Sequence, residues 1–171
     1  LARIKTQYAG RPFILSLWSV NECSYCIAEL TLFGKYAKAQ KHLPLVLVAT
    51  DSPEFVPAIQ KTLGQLGLGG MDSWVFDDTI PERLRHAIDP SWYGELPRTY
   101  LYDAQHQRET VVGVLGEKRL RTWLMWSRIP PPPFTSQSMF GQASSTIPNG
   151  NSRFGRLRTL SVSATLPPAS S

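Results

Sequence analysis

Two cysteines, Cys23 and Cys26, stand three residues apart in the segment WSVNECSYC, and the 171-residue chain has no other cysteine. Residues at this spacing lie on one face of a helix, where their sulfurs can be bridged. A cysteine at a helix amino terminus meets free backbone N–H groups and the positive end of the helix dipole. These lower its thiol pKa from about 8.5 to roughly 3.5–7.5. The pair therefore indicates thiol–disulfide exchange, in which Cys23 attacks a disulfide and Cys26 resolves the mixed disulfide.

The predicted elements around the pair suit that chemistry. The apolar run Phe13–Trp18 predicts a buried strand, and residues 19–22 predict a loop. From Cys23 to about Gln40, apolar residues recur at helical spacing. A redox-active CxxC needs this order of strand, loop and helix. A pair of buried apolar cysteines, or an inert structural bridge, is the alternative interpretation.

Strands and helices alternate along the rest of the folded region. Further apolar runs typical of strands occupy residues 43–49, 74–76, 100–102 and 110–114. Helical patterns occupy residues 53–66, 79–88 and 117–126. This alternation, with a hairpin and a helix at its end, predicts an α/β fold built on a mixed sheet.

Charge and composition divide the chain after Trp126. Residues 127–171 hold 14 serines or threonines, 7 prolines, four arginines and no acidic residue. We therefore predict a folded domain over 1–126 and a disordered tail over 127–171. The net charge of +5 belongs mostly to this tail, because residues 1–126 carry 14 basic and 13 acidic residues. No basic folded face is evident, which argues against a nucleic-acid partner.

Two cysteines are too few for the disulfide framework of a small secreted domain. A tetrahedral zinc site would need a second ligand pair, which the sequence does not supply, so no metal site is predicted. The sequence also has no apolar run long enough to span a membrane.

The segment FILSLWSVNECSYCIAEL, residues 13–30, resembles the active-site segment of extracytoplasmic thioredoxin-like oxidoreductases of the TlpA/ResA type. Trp18 and the CxxC match that pattern, and Glu29 takes its acidic position. A second segment, GELPRTYLYD at 94–103, resembles the stretch of that family around its conserved proline. Two departures are that Glu22 stands where the family has a second Trp, and that one extra residue separates Trp18 from Cys23.

The resemblance implies a thioredoxin-like fold, with a central mixed β-sheet flanked by helices and an additional central helix and strand. It implies catalysis by Cys23 and Cys26, with Pro97 as a cis-proline that faces them and pairs with the client backbone. Trp18 and Tyr25 are further candidates for contact with the client.

Three carboxylates are candidates for the acid that assists proton transfer in such proteins. Asp51, at the end of the second predicted strand, is the first candidate, and Glu54 and Glu95 are the others. The same residues also suit solvated or helix-capping carboxylates, which is the alternative interpretation.

The activity implied by the resemblance is reduction of protein disulfides outside the cytoplasm. The clients would be proteins with cysteines, such as apocytochromes c or copper-site proteins, and a membrane protein would supply the electrons. We expect a periplasmic monomer, released from a signal or anchor that is not part of this sequence. It would need no cofactor beyond its own Cys23–Cys26 disulfide.

Three alternatives remain open from the sequence. An oxidase would use the same chemistry in the opposite direction. A copper chaperone would bind Cu(I) through the two soft thiolates, although His42, His86 and His106 have no evident route to them. A redox-inert interaction domain would act through its tail.

Overall fold

The computed structural model describes residues 1–40, 42–78, 80–127 and 157–160. The helices are α1 (Ala2–Gln7), α2 (Cys26–Ala39), α3 (Val56–Gln65), α4 (Pro81–Ile88) and α5 (Glu117–Trp126), with a 3-10 turn at Pro53–Phe55. The strands are β1 (Phe13–Trp18), β2 (Leu45–Ala49), β3 (Asp72–Phe76), β4 (Arg98–Tyr102), β5 (Arg108–Val112) and β6 (Arg158–Leu160).

The strands form one six-stranded sheet in the order β5-β4-β1-β2-β3-β6. β1 pairs in parallel with β2, β2 with β3, and β3 with β6. β4 runs antiparallel to β1, and β5 runs antiparallel to β4. The predicted mixed sheet is therefore confirmed, and β1, which leads to the cysteines, lies inside it with a neighbour on each side.

Helices cover both faces of the sheet and create two apolar layers. The first layer lies under α2, α3 and α5 and includes both cysteines. The second lies under α1 and α4. Side chains of β1 alternate between them, with Ile14 and Trp18 in the first and Phe13, Leu15 and Leu17 in the second. This two-sided burial is the reason that β1 has a nearly continuous apolar sequence.

Two strands and two helices separate α2 from Pro97, which agrees with the additional helix and strand that the resemblance implies. The amino-terminal helix α1 was not evident in the sequence. It has six residues, and Ile4 is its single buried side chain, so it offers almost no periodic pattern.

Residues Arg158–Leu160 form strand β6, so the prediction of disorder is wrong for them. Leu160 is buried in the second apolar layer, and its carbonyl accepts the Asp77 N–H at 2.9 Å. Arg158 donates to Gln7 Oε1 at 3.0 Å and lies 3.5 Å from Asp72 Oδ1. These contacts provide the burial and pairing that the local composition does not suggest. The rest of the predicted tail lies outside the described residues, and the domain division at 126/127 stays a prediction.

Candidate active site

Cys23 and Cys26 form a disulfide, with Cα atoms 5.4 Å apart. α2 begins at Cys26, not at Cys23 as the sequence predicted, because residues 23–26 form a turn closed by the Cys26 N–H and the Cys23 carbonyl at 3.3 Å. The same N–H lies 3.1 Å from Cys23 Sγ and donates to it. After reduction, this donor at the amino terminus of α2 would stabilise a Cys23 thiolate.

The two cysteines differ in accessibility. Cys23 is 8% exposed, whereas Cys26 is fully buried in the first apolar layer. A client sulfur can therefore reach Cys23 more readily than Cys26. This difference fits the predicted roles, with Cys23 as attacking thiol and Cys26 as resolving thiol.

Asp51 fixes the loop that leads from β1 to Cys23. Its buried carboxylate accepts hydrogen bonds from the Ser19 hydroxyl at 2.7 Å, the Val20 N–H at 2.9 Å and the Asn21 N–H at 3.2 Å. Ser19 Oγ in turn accepts the N–H of Glu22 at 2.8 Å. Asp51 can reach the loop because the carboxyl ends of the parallel strands β1 and β2 are neighbours. These bonds make Asp51 a loop anchor, and its proposed part in proton transfer stays a prediction.

The Leu96–Pro97 peptide bond is cis. The antiparallel register pairs Leu17 with Arg98, so its continuation places Pro97 opposite Trp18, where the loop to the cysteines begins. The Pro97 carbonyl accepts the Gly113 N–H at 2.9 Å, which ties the proline to the residue after β5. Pro97 therefore lies at the same edge of the sheet as the disulfide, while its contact with a client stays a prediction.

Trp18 and Tyr25 occupy contrasting positions. Trp18 is 1% exposed and packs in the same apolar layer as both cysteines. Tyr25, the residue before α2, is 71% exposed. Tyr25 is therefore accessible for direct contact with a client, whereas Trp18 is packed inside the apolar layer that contains the cysteines.

The acid that sequence reasoning underrated is Glu29. It lies three residues after Cys26 on α2 and is 1% exposed. Its Oε1 accepts the hydroxyls of Thr99 at 2.5 Å and Ser16 at 3.0 Å, and its Oε2 accepts the Leu115 N–H at 2.8 Å. Burial raises the pKa of Glu29, and the three hydrogen bonds only partly oppose this. The sequence signal was a carboxylate on the same helical face as Cys26 and next to the apolar stripe.

The two remaining acid candidates have other partners. Glu54 is exposed in the 3-10 turn and accepts the Ser52 hydroxyl at 3.0 Å. Glu95 accepts the Tyr93 N–H at 3.2 Å and lies 3.6 Å from Arg98 Nη1. Neither has a hydrogen bond to a cysteine among the contacts of the described chain.

Two of the three histidines, His86 and His106, lie on the opposite side of the sheet from the cysteines. His106 lies against the Phe13 ring and its Nε2 is 3.0 Å from the Tyr8 carbonyl, in the region of the second apolar layer. His86 is in the last turn of α4, on that same side of the sheet. The described residues contain no group of three or more His, Cys, Asp or Glu side chains suited to a metal ion.

Comparison with known proteins identifies the fold. No family model and no curated protein matches the chain. A secreted disulfide oxidoreductase of Mycobacterium tuberculosis, homologous to E. coli DsbE, aligns with a TM-score of 0.54 and 19% identity over 71% of this chain and 85% of that one. M. tuberculosis DsbF aligns with a TM-score of 0.55 and 20% identity over 71% and 84% of the two chains. A DsbF homologue from Corynebacterium diphtheriae aligns with a TM-score of 0.52 and 16% identity over 71% and 75%.

The chain thus has a thioredoxin-like fold, as predicted. Its structural neighbours are thiol:disulfide oxidoreductases, and the chain itself carries a disulfide in a CxxC motif. Within the described residues, no helix combines the length and apolar character needed to cross a membrane.

Proposed function

We propose that this protein is a thiol:disulfide oxidoreductase that reduces disulfides of client proteins. The observation that carries the proposal is the Cys23–Cys26 disulfide at the amino terminus of α2, with Cys23 as the more accessible residue. The cis Leu96–Pro97 bond, at the edge of the sheet where the loop to the cysteines begins, supports the proposal.

The reaction exchanges one disulfide for another. The Cys23 thiolate attacks one sulfur of the client disulfide, whose S–S bond breaks and whose second sulfur leaves as a thiolate and takes up a proton. Cys26 then loses its proton and attacks Cys23 Sγ, which releases the first client sulfur as a thiol. The client gains two electrons and two protons, and the Cys23–Cys26 disulfide forms. A dithiol donor protein reverses these steps to restore the reduced state.

Glu29 is the acid that we assign to proton transfer at Cys26. Cys26 is buried, so its thiol needs a nearby base before it can attack the mixed disulfide. Glu29 lies one helical turn away, and burial raises its pKa from the ordinary carboxyl value toward that of a thiol. Glu29 is favoured over Asp51 because it lies on the same helix as Cys26, whereas the hydrogen bonds of Asp51 hold the loop before Cys23.

The proposal also assigns a cellular location and a class of client proteins. One structural neighbour is a secreted disulfide oxidoreductase, which supports action outside the cytoplasm. There the protein would maintain reduced cysteines in apocytochromes c or copper-site proteins, with a membrane protein as electron donor. The reducing direction distinguishes this proposal from its main alternative, a disulfide oxidase.

The reduction potential of the Cys23–Cys26 pair tests the direction. Equilibration with thioredoxin should give a potential near that of thioredoxin, about −270 mV, for a reductase. A potential near about −120 mV would instead assign the protein to the oxidants. Absence of any reversible couple would refute redox catalysis, and titration of the reduced protein with Cu(I) would then test the copper alternative.

Trapping of the mixed disulfide tests the roles of the two cysteines. Cys26→Ser should accumulate a covalent adduct with insulin. Its Cys23 attacks an insulin disulfide, and the resolving thiol that would release the adduct is missing. The matched variant Cys23→Ser should trap much less, since its remaining thiol is buried. Equal trapping by both variants would contradict the assigned order of attack.

A further inference from the structure

An ionic cluster around a buried aspartate lies on the opposite face of the sheet from the disulfide. We call it the Asp89 cluster; it consists of Asp89, Arg98, Tyr100 and Arg108. Asp89 is 2% exposed and follows the last residue of α4. Its Oδ2 accepts Arg98 Nη2 at 2.9 Å and the Tyr100 hydroxyl at 2.9 Å, and its Oδ1 lies 3.0 Å from Arg108 Nη2. Nothing in the proposed thiol chemistry uses these residues.

The cluster closes the loop that presents the cis-proline. Arg98 is the first residue of β4 and directly follows Pro97, so the Asp89–Arg98 bond joins the two ends of the loop 89–98. Inside this loop, the Trp92 N–H bonds to the Asp89 carbonyl at 3.0 Å, and the indole N–H bonds to the Glu95 carbonyl at 3.1 Å. The loop is therefore fixed at its ends and through its middle.

Strand β4 is held from both faces immediately after Pro97. Because strand side chains alternate, Thr99 faces α2 and donates to Glu29, whereas Arg98 and Tyr100 face the other way and bond to Asp89. Arg98 Nε also donates to the Tyr100 hydroxyl at 2.8 Å. The Glu29 contacts hold the acid that we assign to proton transfer. The Asp89 contacts fix the ends of the proline loop and, through Arg108, join it to β5.

Burial of the Asp89 carboxylate costs desolvation free energy, which only a full set of hydrogen-bond and ionic partners offsets. The Asp89 carboxylate also accepts the Ser91 N–H at 3.0 Å and the Ser91 hydroxyl at 2.7 Å. Burial alone would raise the pKa of Asp89, but the bonds from Ser91, Arg98 and Tyr100 outweigh it and hold this pKa below the usual carboxyl value. Asp89 is thus ionised, and its bonds persist at neutral pH.

We propose that Asp89 is a positioning residue for Pro97, which acts through Arg98 and Tyr100 to fix the loop on which an extended client segment docks. The inference rests on the proposed oxidoreductase function. Its consequence is selective: reactions that require docking of a client backbone depend on Asp89, whereas attack by Cys23 on a small disulfide does not.

The test compares two disulfides that differ in having a polypeptide backbone. Insulin requires docking, and 5,5′-dithiobis(2-nitrobenzoate) has no backbone to dock. With dithiothreitol as recycling reductant, Asp89→Asn should raise KM for insulin about tenfold with little change in kcat, and the milder Tyr100→Phe about threefold. Rates with the small disulfide are measured in single turnovers of pre-reduced protein freed of dithiothreitol, because dithiothreitol reduces this reagent directly. These rates and the reduction potentials should match the wild type. If Asp89→Asn does not fold, Tyr100→Phe decides the outcome.

A matched control separates positioning from lost stability. Val46→Ala truncates a buried side chain of the same apolar layer on β2, away from the loop, and should leave both reactions unchanged. Hydrogen exchange of the Gly113 amide, which donates to the Pro97 carbonyl, should accelerate in Tyr100→Phe but not in the control.

Two results would overturn the inference in distinguishable ways. Equal loss of rate with insulin and the small disulfide, or an unchanged KM for insulin, would refute the role of Asp89 while the proposed function stands. Wild-type protein that reacts with neither disulfide would refute the proposed function itself, and the role of Asp89 with it.

Discussion

Replacement of Asp51 by alanine should destabilise the protein through the loop before Cys23. The substitution removes the acceptor of three hydrogen bonds. The Ser19 hydroxyl is buried, and a buried donor without an acceptor costs about 1–3 kcal/mol. The amides of Val20 and Asn21 are partly accessible, so water replaces Asp51 there and the loss is about 0.5 kcal/mol each. We therefore expect Asp51→Ala to lower the free energy of unfolding by about 2–4 kcal/mol.

Urea unfolding of the oxidised protein, followed by circular dichroism, measures this change directly. For a domain of this size the corresponding fall in Tm is about 4 °C per kcal/mol, or roughly 8–16 °C. Glu54→Ala is the matched control, because Glu54 is exposed and its one hydrogen bond within the described part of the chain is to the Ser52 hydroxyl. The control should stay within about 0.5 kcal/mol of the wild type.

A double-mutant cycle with Ser19→Ala tests the assigned bond. The two substitutions should be non-additive by about 1 kcal/mol or more, since each removes the same interaction. Additive effects, or an Asp51→Ala variant as stable as Glu54→Ala, would refute the reasoning. A shifted pH–rate profile of the folded Asp51→Ala variant would show that Asp51 also transfers protons, as the sequence predicted.

Two further predictions concern helix α2. Burial raises the pKa of Glu29 above its ordinary value of 4.5. The stability that protonated Glu29 contributes to the folded state is therefore fully present below pH 4.5 and is lost as pH rises through the folded-state pKa. Glu29→Gln should abolish that decline in urea titrations across pH, and an unchanged slope would contradict the assignment. Gly34→Ala should destabilise the protein by about 2–4 kcal/mol, because the new Cβ would lie 2.2 Å from the Leu66 carbonyl oxygen, a backbone atom. Gly64→Ala is its control, since its Cβ would meet nothing within 4 Å, and alanine there should gain up to about 1 kcal/mol of helix propensity; equal effects at both glycines would refute the packing argument.

The sequence predicted the elements that carry strong local patterns. β1 is buried on both faces and has a continuous apolar sequence, whereas α2 is buried on one face and has an apolar stripe at helical spacing. Both patterns are evident without tertiary information. The thioredoxin-like fold followed from two motifs in order, around the cysteines and around Pro97. The exact start of α2 did not follow, because the turn at Cys23 and the first turn of a helix have similar sequences.

The side-chain partners were not predictable in the same way. Glu29 bonds to Ser16 on β1 and Thr99 on β4, and these contacts depend on which strands are neighbours in the sheet. Asp51 was selected from its place at a strand end, but its bonds to the loop depend on the parallel pairing of β1 and β2. The Asp89 cluster joins residues on three separate elements, with no local spacing to mark it.

Strand β6 has a consequence for the order of assembly during translation. Its partner in the sheet is β3, and Arg158 pairs with Trp74, from which about half of the chain's length separates it. Because the chain emerges from the ribosome amino terminus first, β1 to β5 and their helices are available before Leu160 has been made. The nascent protein therefore exposes β3 as a sheet edge until β6 has been made. In that interval the edge is open to pairing with other chains, and β6 ends the exposure.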